Sequence, residues 1–336
     1  MERSVQERPV EAPVRTTRLS QYWHPIAAST ELTDQPQRFI LLGEPLVAFR
    51  TADGVAVFKD LCIHRGTALS LGWVRDGRIV CPYHGWEYDR SGACVRIPAL
   101  AEGAAIPPRA RAIAYHAEER YGLVWVAMEE PVAPVPGFPE NEHEDPRYEG
   151  EVFSVLDWAT SAGRSTENSM DVSHFPFVHP NILARPEFPY QDPYELHETD
   201  FGLRYRVDNQ YYRSADGSFE TTVSYEYYQW FPFTMHIRIL EDSERVTVVS
   251  VFASPTEARR TRVFRVVHRN YENDDPNFVQ NYLHVLEQDR RVVESIRPEE
   301  IPQSLKDELH IRVPDLASIA YRRWLGTVDM QGILEP

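Results

Sequence analysis

Cys62-Ile63-His64-Arg65-Gly66 and Cys81-Pro82-Tyr83-His84-Gly85-Trp86 set two thiols and two imidazoles in paired Cys-x-His and Cys-x-x-His arrangements. Two thiolates on one iron and two imidazoles on the other make the ligand set of a Rieske [2Fe–2S] centre, where imidazole ligation raises the reduction potential. A Cys₂His₂ set also suits zinc. Zinc, however, has no need of a glycine close to each histidine, whereas such glycines let backbone N–H groups approach cluster sulfurs and tune their potential. Pro82 fixes a turn between two ligands. The four residues Cys62, His64, Cys81 and His84 are therefore read as ligands of a one-electron carrier. Cys94 stands outside the pattern and reads as a small buried apolar residue.

A second constellation follows in Asn168-Ser169-Met170-Asp171-Val172-Ser173-His174-Phe175-Pro176-Phe177-Val178-His179. A helical stretch over Ser165–His174 puts Asp171 and His174 on one face, three residues apart. In an ideal helix His179 points away from His174. Pro176 removes a backbone donor between them, so a break there is expected to turn both imidazoles toward one metal. Separate, satisfied histidines are the bland alternative. Two histidines need a carboxylate to make the facial triad that holds Fe(II) and leaves positions open for O₂. A long helix is predicted from a cap at Asp275-Pro276 to about Ile296, where Arg297-Pro298 stops it. Tyr282, Leu286, Val293 and Ile296 form its apolar stripe, and Asp289 fills the gap in that stripe. A carboxylate facing a core needs a cation or a metal. Asp289 is thus the third ligand or one half of a buried ion pair, and Asp171 as a direct ligand also stays open on the residues alone. Glu287 and Glu294 lie off the stripe and read as solvated.

Together the motifs resemble the catalytic (α) subunit of a Rieske non-haem iron oxygenase, from about Tyr22 to the end of the long helix. The length, and the uninterrupted run from Asn168 to Asp171, are similar to the smaller oxygenases typified by vanillate and dicamba demethylases. The resemblance implies an α+β protein: a small antiparallel β Rieske domain, then a helix-grip (START-like) catalytic domain with an antiparallel sheet around a long helix. It implies iron on His174, His179 and Asp289, and a homotrimer in which Asp171 bridges a neighbour's His84 to His174. A separate NAD(P)H-dependent reductase, with or without a ferredoxin, supplies electrons. The activity implied is O₂-dependent hydroxylation or oxidative demethylation of a small aromatic or heterocyclic compound. cis-Dihydroxylation of an arene is the alternative within the class. A Rieske electron-transfer or ligand-binding protein without oxygenase chemistry is the alternative outside it.

The elements that must position these residues are mostly strands. Short apolar runs such as Phe39–Leu42, Leu46–Phe49 and Val55–Phe58 are broken by turns, with hairpins expected at Arg75-Asp76-Gly77 and Asp89–Gly92. This gives a polar disordered arm over 1–17, a Rieske domain over 18–130, a Pro- and Glu-rich linker over 131–150 and a catalytic domain over 151–336. Within the last, Phe219, Thr221, Val223, Tyr225 and Tyr227 alternate with Glu220, Thr222, Ser224 and Glu226 as in a half-buried strand. A final helix is expected over Asp315–Leu325. For the substrate pocket two polar handles are offered: Asn168, which opens the second motif, and His268, which shares strand parity with Phe264 and Val266 and is expected to face inward. The 336 residues carry a formal charge of −16 and 42% hydrophobic side chains. That balance fits a globular protein without the basic stripe that nucleic acid demands. No apolar run reaches the ~20 residues that span a bilayer. The basic N-terminus lacks an apolar h-region, so a cytoplasmic location is expected.

Overall fold

The computed structural model describes residues 17–213, 220–241, 244–272, 278–302 and 304–330. The arm expected over 1–17 lies outside the described residues except for Thr17. So do Phe219 of the alternating strand, the Asp275-Pro276 cap and residues 331–336.

After β1 (Thr17–Arg18) and β2 (His24–Ala28), the strands β3 (Gln37–Leu41), β4 (Glu44–Thr51) and β5 (Gly54–Lys59) form an antiparallel sheet. β4 is buried on both sides, because Leu46 and Ala48 enter the main core while Val47 and Phe49 pack beneath the cysteine loops. β6 (Trp73–Arg75), β7 (Arg78–Val80), β8 (Glu87–Tyr88) and β9 (Cys94–Arg96) make a four-stranded antiparallel sheet. Both expected hairpins are present. Asp76 and Gly77 take φ of 51° and 70° between β6 and β7, the left-handed pair of a tight hairpin turn. At the second turn the Asp89 carboxylate accepts the N–H of Ser91 at 2.9 Å. β10 (His116–Arg120) and β11 (Leu123–Ala127) complete a sheet of order β10-β11-β2.

The second half is one seven-stranded antiparallel sheet. It comprises β12 (Glu149–Trp158), β13 (Leu196–Thr199), β14 (Gly202–Arg213), β15 (Glu220–Trp230), β16 (Thr234–Leu240), β17 (Val246–Glu257) and β18 (Arg260–Arg269), in the order β12-β18-β17-β16-β15-β14-β13. Among the described residues four α-helices accompany it: α1 (Ala162–Met170), α2 (Phe175–Val178), α3 (Phe278–Val293) and α4 (Leu316–Leu325). β19 (Val328–Asp329) then pairs in parallel with β1, tying the two ends of the described chain together. The α+β class with largely antiparallel sheets is thus observed.

Strand parity divides the large sheet into two covered faces. Val223, Tyr225 and Tyr227 of β15, Val249 and Val251 of β17, and Val263 and Val267 of β18 share a core with Val293 of α3 and Tyr321 of α4. On the other face Val248, Phe252, Phe264 and Val266 pack against Leu123 and Trp125 of β11 and against Val135 and Phe138. The proline-rich stretch after β11 therefore hugs the sheet. It also buries Glu142, whose carboxylate pairs with Arg238 at 2.8 Å. Glu226, on that same face, takes Arg238 from the other side at 2.5 Å and is buried too. Glu226 of the alternating strand thus faces protein, not water.

Two helix expectations are corrected. The helix near residue 165 ends at Met170, and Asp171 already has extended backbone (φ −95°, ψ 135°). α3 stops at Val293, and Ile296 follows in a tightened turn, its N–H bonded to the Val293 carbonyl at 3.1 Å. α4 begins after Asp315, as expected.

Trp125 and Phe252 meet edge to face at 5.0 Å, joining the β11 sheet to the outer face of the large sheet. Phe252→Ala is expected to destabilise the protein by about 3–5 kcal/mol through lost burial and the cavity left behind. Chemical denaturation followed by tryptophan fluorescence measures this, and a loss under about 1 kcal/mol would mean the seam is not a tight core.

Candidate functional site

The two cysteine loops share one hydrogen-bond plan. In the first, the Gly66 N–H reaches the Cys62 carbonyl at 2.8 Å and the Cys62 N–H reaches the Thr67 carbonyl at 2.8 Å. In the second, the Gly85 N–H reaches Cys81 at 3.0 Å and the Cys81 N–H reaches Trp86 at 2.9 Å. Gly66 and Gly85 close the loops at φ of 74° and 68°, where a side chain would be strained. Both thiols are buried and free, while His64 and His84 are exposed with their Nδ1 atoms 3.2 Å apart. Trp86 stacks on His64 at 4.5 Å and Tyr83 lies over His84 at 3.8 Å, fixing both rings. The Tyr88 hydroxyl sits 3.1 Å from the Cys62 sulfur, a donor of the kind that stabilises a thiolate ligand. Buried sulfurs on one side and facing imidazole nitrogens on the other fit a [2Fe–2S] cluster. Cys94 is buried beside them, its thiol directed at the Arg96 carbonyl at 3.4 Å.

The second constellation is built by a helix that breaks. Because α1 ends at Met170, Asp171 and His174 do not share a helix face. Asp171 instead bends its carboxylate back, accepting the N–H of Ser173 at 2.8 Å, the N–H of His174 at 3.1 Å and the His174 Nδ1–H at 3.0 Å. The break thus falls before His174 and not at Pro176, which sits in the first turn of α2. The short α2 then carries the chain round to His179.

From α3 Asp289 meets both imidazoles. Its Oδ1 lies 2.9 Å from His179 Nε2 and 3.3 Å from His174 Nε2. One ligand atom from each of His174, His179 and Asp289 lies within 4.8 Å of the others. The remaining ring nitrogens are occupied: His174 Nδ1 by Asp171, and His179 Nδ1 by Gln288 Oε1 at 2.9 Å. An acceptor on Nδ1 fixes the tautomer that leaves the Nε2 lone pair for a metal. Such a set can hold one ferrous ion. Gln288 was not singled out from the sequence, since it lies off the apolar stripe; its place beside Asp289 was the one available hint.

Electrostatics follow the geometry. Burial alone would raise the Asp289 carboxyl, but hydrogen bonds from His174 and His179 outweigh it and hold the group well below the carboxylate range. Burial alone would lower His174, but the hydrogen bonds to Asp171 and then Asp289 outweigh that and push it up to about 9.

The two polar handles fare differently. Asn168 is half-buried on α1, its carbonyl accepting the Asp171 N–H at 3.3 Å. His268 has the parity of Phe264 and Val266, and that parity belongs to the outer face. It meets His143 at 3.1 Å and Phe138 ring to ring at 4.5 Å, away from α3. Its expected inward direction is corrected: with both faces of the sheet covered, burial does not tell which side holds the reaction. A cavity of about 270 Å³ on the connector side, lined by Gly137, Phe138, Tyr228, Trp230 and His236 among others, includes none of the triad.

Two family matches cover most of the chain: a Rieske [2Fe-2S] domain over residues 22–114 and a vanillate O-demethylase oxygenase C-terminal domain over residues 158–328. The chain is 32% identical over 330 residues to methylxanthine N1-demethylase NdmA of Pseudomonas putida, covering 91% of this chain and 88% of that one. It is 30% identical over 332 residues to the methylxanthine N3-demethylase NdmB of the same organism, covering 94% and 91%. The solved structure of NdmA with caffeine superposes with a TM-score of 0.82 at 30% identity, over 91% of this chain and 90% of that one. The chain belongs to the Rieske non-haem iron oxygenases. The oxygenase is accordingly an oxidoreductase that carries a Rieske cluster and a mononuclear iron and works on an organic substrate. Among its described residues no helix is long and apolar enough to cross a membrane.

A proton count tests the His174 geometry. In the metal-free protein His174 is protonated below about 9, and metal binding needs its Nε2 bare. Adding Co(II) or anaerobic Fe(II) at about pH 7.5 is expected to release about one proton per ion, the release fading as pH rises through about 9. Calorimetry in buffers of different ionisation enthalpy reads this, and release independent of pH would contradict the His174 arrangement.

Proposed function

We propose that the oxygenase oxidatively demethylates a small N- or O-methylated aromatic or heterocyclic compound, with Cys62, His64, Cys81 and His84 as cluster ligands and His174, His179 and Asp289 as iron ligands. The observation that carries this is the convergence of two imidazole Nε2 atoms on Asp289 while both Nδ1 atoms are held. A protein that merely bound a ligand would have no use for it. Demethylation is favoured over plain hydroxylation by the two N-demethylases among the relatives and by the O-demethylase family of the C-terminal half.

Cys62, His64, Cys81 and His84 would hold a cluster that supplies electrons singly, and His174, His179 and Asp289 would hold a ferrous ion that supplies O₂ activation toward a C–H bond. The chain's own residues set the conditions. Asp171 and Gln288 orient the imidazoles, and burial of His179 and Asp289 keeps bulk water from the reacting side. The methyl group of the substrate gains one oxygen atom, and the resulting hemiaminal or hemiacetal collapses to formaldehyde and the demethylated product. The second oxygen atom leaves as water, at the expense of two electrons from NAD(P)H through the reductase, directly or by way of a ferredoxin.

Asp171 is assigned the electron bridge. In a homotrimer it would join His174 to the exposed His84 of a neighbour. Support comes from the partly exposed Asp171 carboxylate already bound to His174, and from Ile63, Leu71, Trp73 and Tyr83, apolar side chains exposed around the cluster loops. The Rieske domain over 18–130, the linker over 131–150 and the catalytic domain over 151–336 are proposed as the working units of this transfer.

His174→Ala is expected to keep the visible spectrum of the cluster while losing one iron per chain and O₂-dependent turnover; surviving turnover would refute the iron site. Cys81→Ala is expected to bleach the cluster. Asp171→Asn should keep both metal centres, yet slow turnover by about 10–100-fold or more. Light scattering should return three chains per particle. A stable, active monomer would refute the bridge.

A further inference from the structure

Among the described residues three arginines are almost wholly buried: Arg164, Arg265 and Arg322, each 3% exposed. Two of them obey the rule that a desolvated charge is paired. Arg164 pairs with Glu308 at 2.5 Å and lies 3.5 Å from Glu167. Arg322 pairs with the same two carboxylates, each at 2.6 Å. Arg265 does not obey it. Among the described residues it makes no ion pair, and its Nη1 is buried without a partner. Its guanidinium lies 5.2 Å from the Trp158 ring, a contact that offers a face but no counter-charge.

The position of this unpaired cation is informative. Arg265 sits between Val263 and Val267 on the inner face of β18, the face turned to α3, and Asp289 and Tyr282 of α3 are the acidic groups that act on it. Directly across on β12 is Ser154, whose hydroxyl is also buried and unpartnered. Among the described residues the carboxylate that acts on Arg265 is Asp289, and it is committed to two imidazoles and to the ion they would hold. With a ferrous ion bound, this side of the sheet carries an excess of positive charge in a water-poor interior.

We propose that Arg265, with Ser154 beside it, receives the carboxylate of the substrate, so that the oxygenase acts on methylated aromatic acids. A guanidinium and a carboxylate match fork to fork, and the ligand supplies the charge that the fold withholds. The acid end on Arg265 would leave the methylated edge of the ring for the iron side. This deepens the proposed function and rests on its reading of the triad as the iron centre. Arg265 is thereby a specificity-determining residue.

The test is anaerobic calorimetric binding to the metal-loaded protein, with 3- and 4-methoxybenzoate, 3- and 4-(methylamino)benzoate and the carboxamide of each. The acids are expected to bind at least about tenfold tighter than their amides, and Arg265→Gln to remove that preference with cluster spectrum and iron content unchanged. Arg265→Lys should keep part of it. Thermal melting adds a ligand-free readout: Arg265→Met is expected to melt above the parent protein, since it removes an unpaired buried charge. Amides binding as tightly as acids, no acid binding at all, a preference that survives Arg265→Gln, or a lower melting point for ligand-free Arg265→Met would each overturn the proposal. Acid binding that depends on Arg265, without product from any compound, would instead strike the demethylase reading and leave this one standing.

Discussion

Two imidazoles that lend lone pairs to one point cannot be left free to turn. In this oxygenase each is held from behind, His174 by the Asp171 carboxylate and His179 by the Gln288 amide. Much of the catalytic half serves that restraint. α1 must end at Met170 so that Asp171 can fold back, α2 must be one short turn so that His179 comes round, and α3 must present Gln288 and Asp289 side by side. The inner sheet face, rich in Val and Tyr, is the floor against which these pieces are pressed.

The same sheet explains how two halves of different character become one protein. Its outer face, with Val248, Phe252, Phe264 and Val266, is covered by β11 and the proline-rich stretch, and its inner face by helices. A strand buried on both faces loses the alternation that usually tells inside from outside. Parity puts Arg265 and His268, three residues apart, on opposite faces, but with both faces buried it does not say which of them is turned to α3.

Legibility varied with the range of the interactions. The paired loops were readable because cysteines, histidines, glycines and proline lie within a few residues of one another, and the hairpins at Asp76-Gly77 and Asp89–Gly92 are local turn chemistry. Asp289 was readable as a carboxylate in an apolar stripe, a conflict that only a partner resolves. The break at Asp171 was misplaced by a few residues, since Pro176 is the conspicuous breaker but a proline is tolerated in a first helical turn. What Asp171 does there, capping the following turn with its own side chain, depends on backbone bending that no spacing rule reveals. Gln288 depends on the approach of His179 from more than a hundred positions away, and a long-range pairing of that kind leaves little trace in a single sequence.

Two imidazoles and one carboxylate are proposed to hold a single iron apart from the cluster. Electron paramagnetic resonance of the dithionite-reduced protein with nitric oxide addresses it directly. Nitric oxide turns a ferrous site with open positions into a distinct high-spin signal, while the reduced Rieske cluster gives its own. One such high-spin signal per chain is expected, with hyperfine coupling to two histidine nitrogens that changes on ¹⁵N-histidine labelling. A sample with an intact cluster signal and no high-spin nitrosyl signal, or one without histidine coupling, would contradict it.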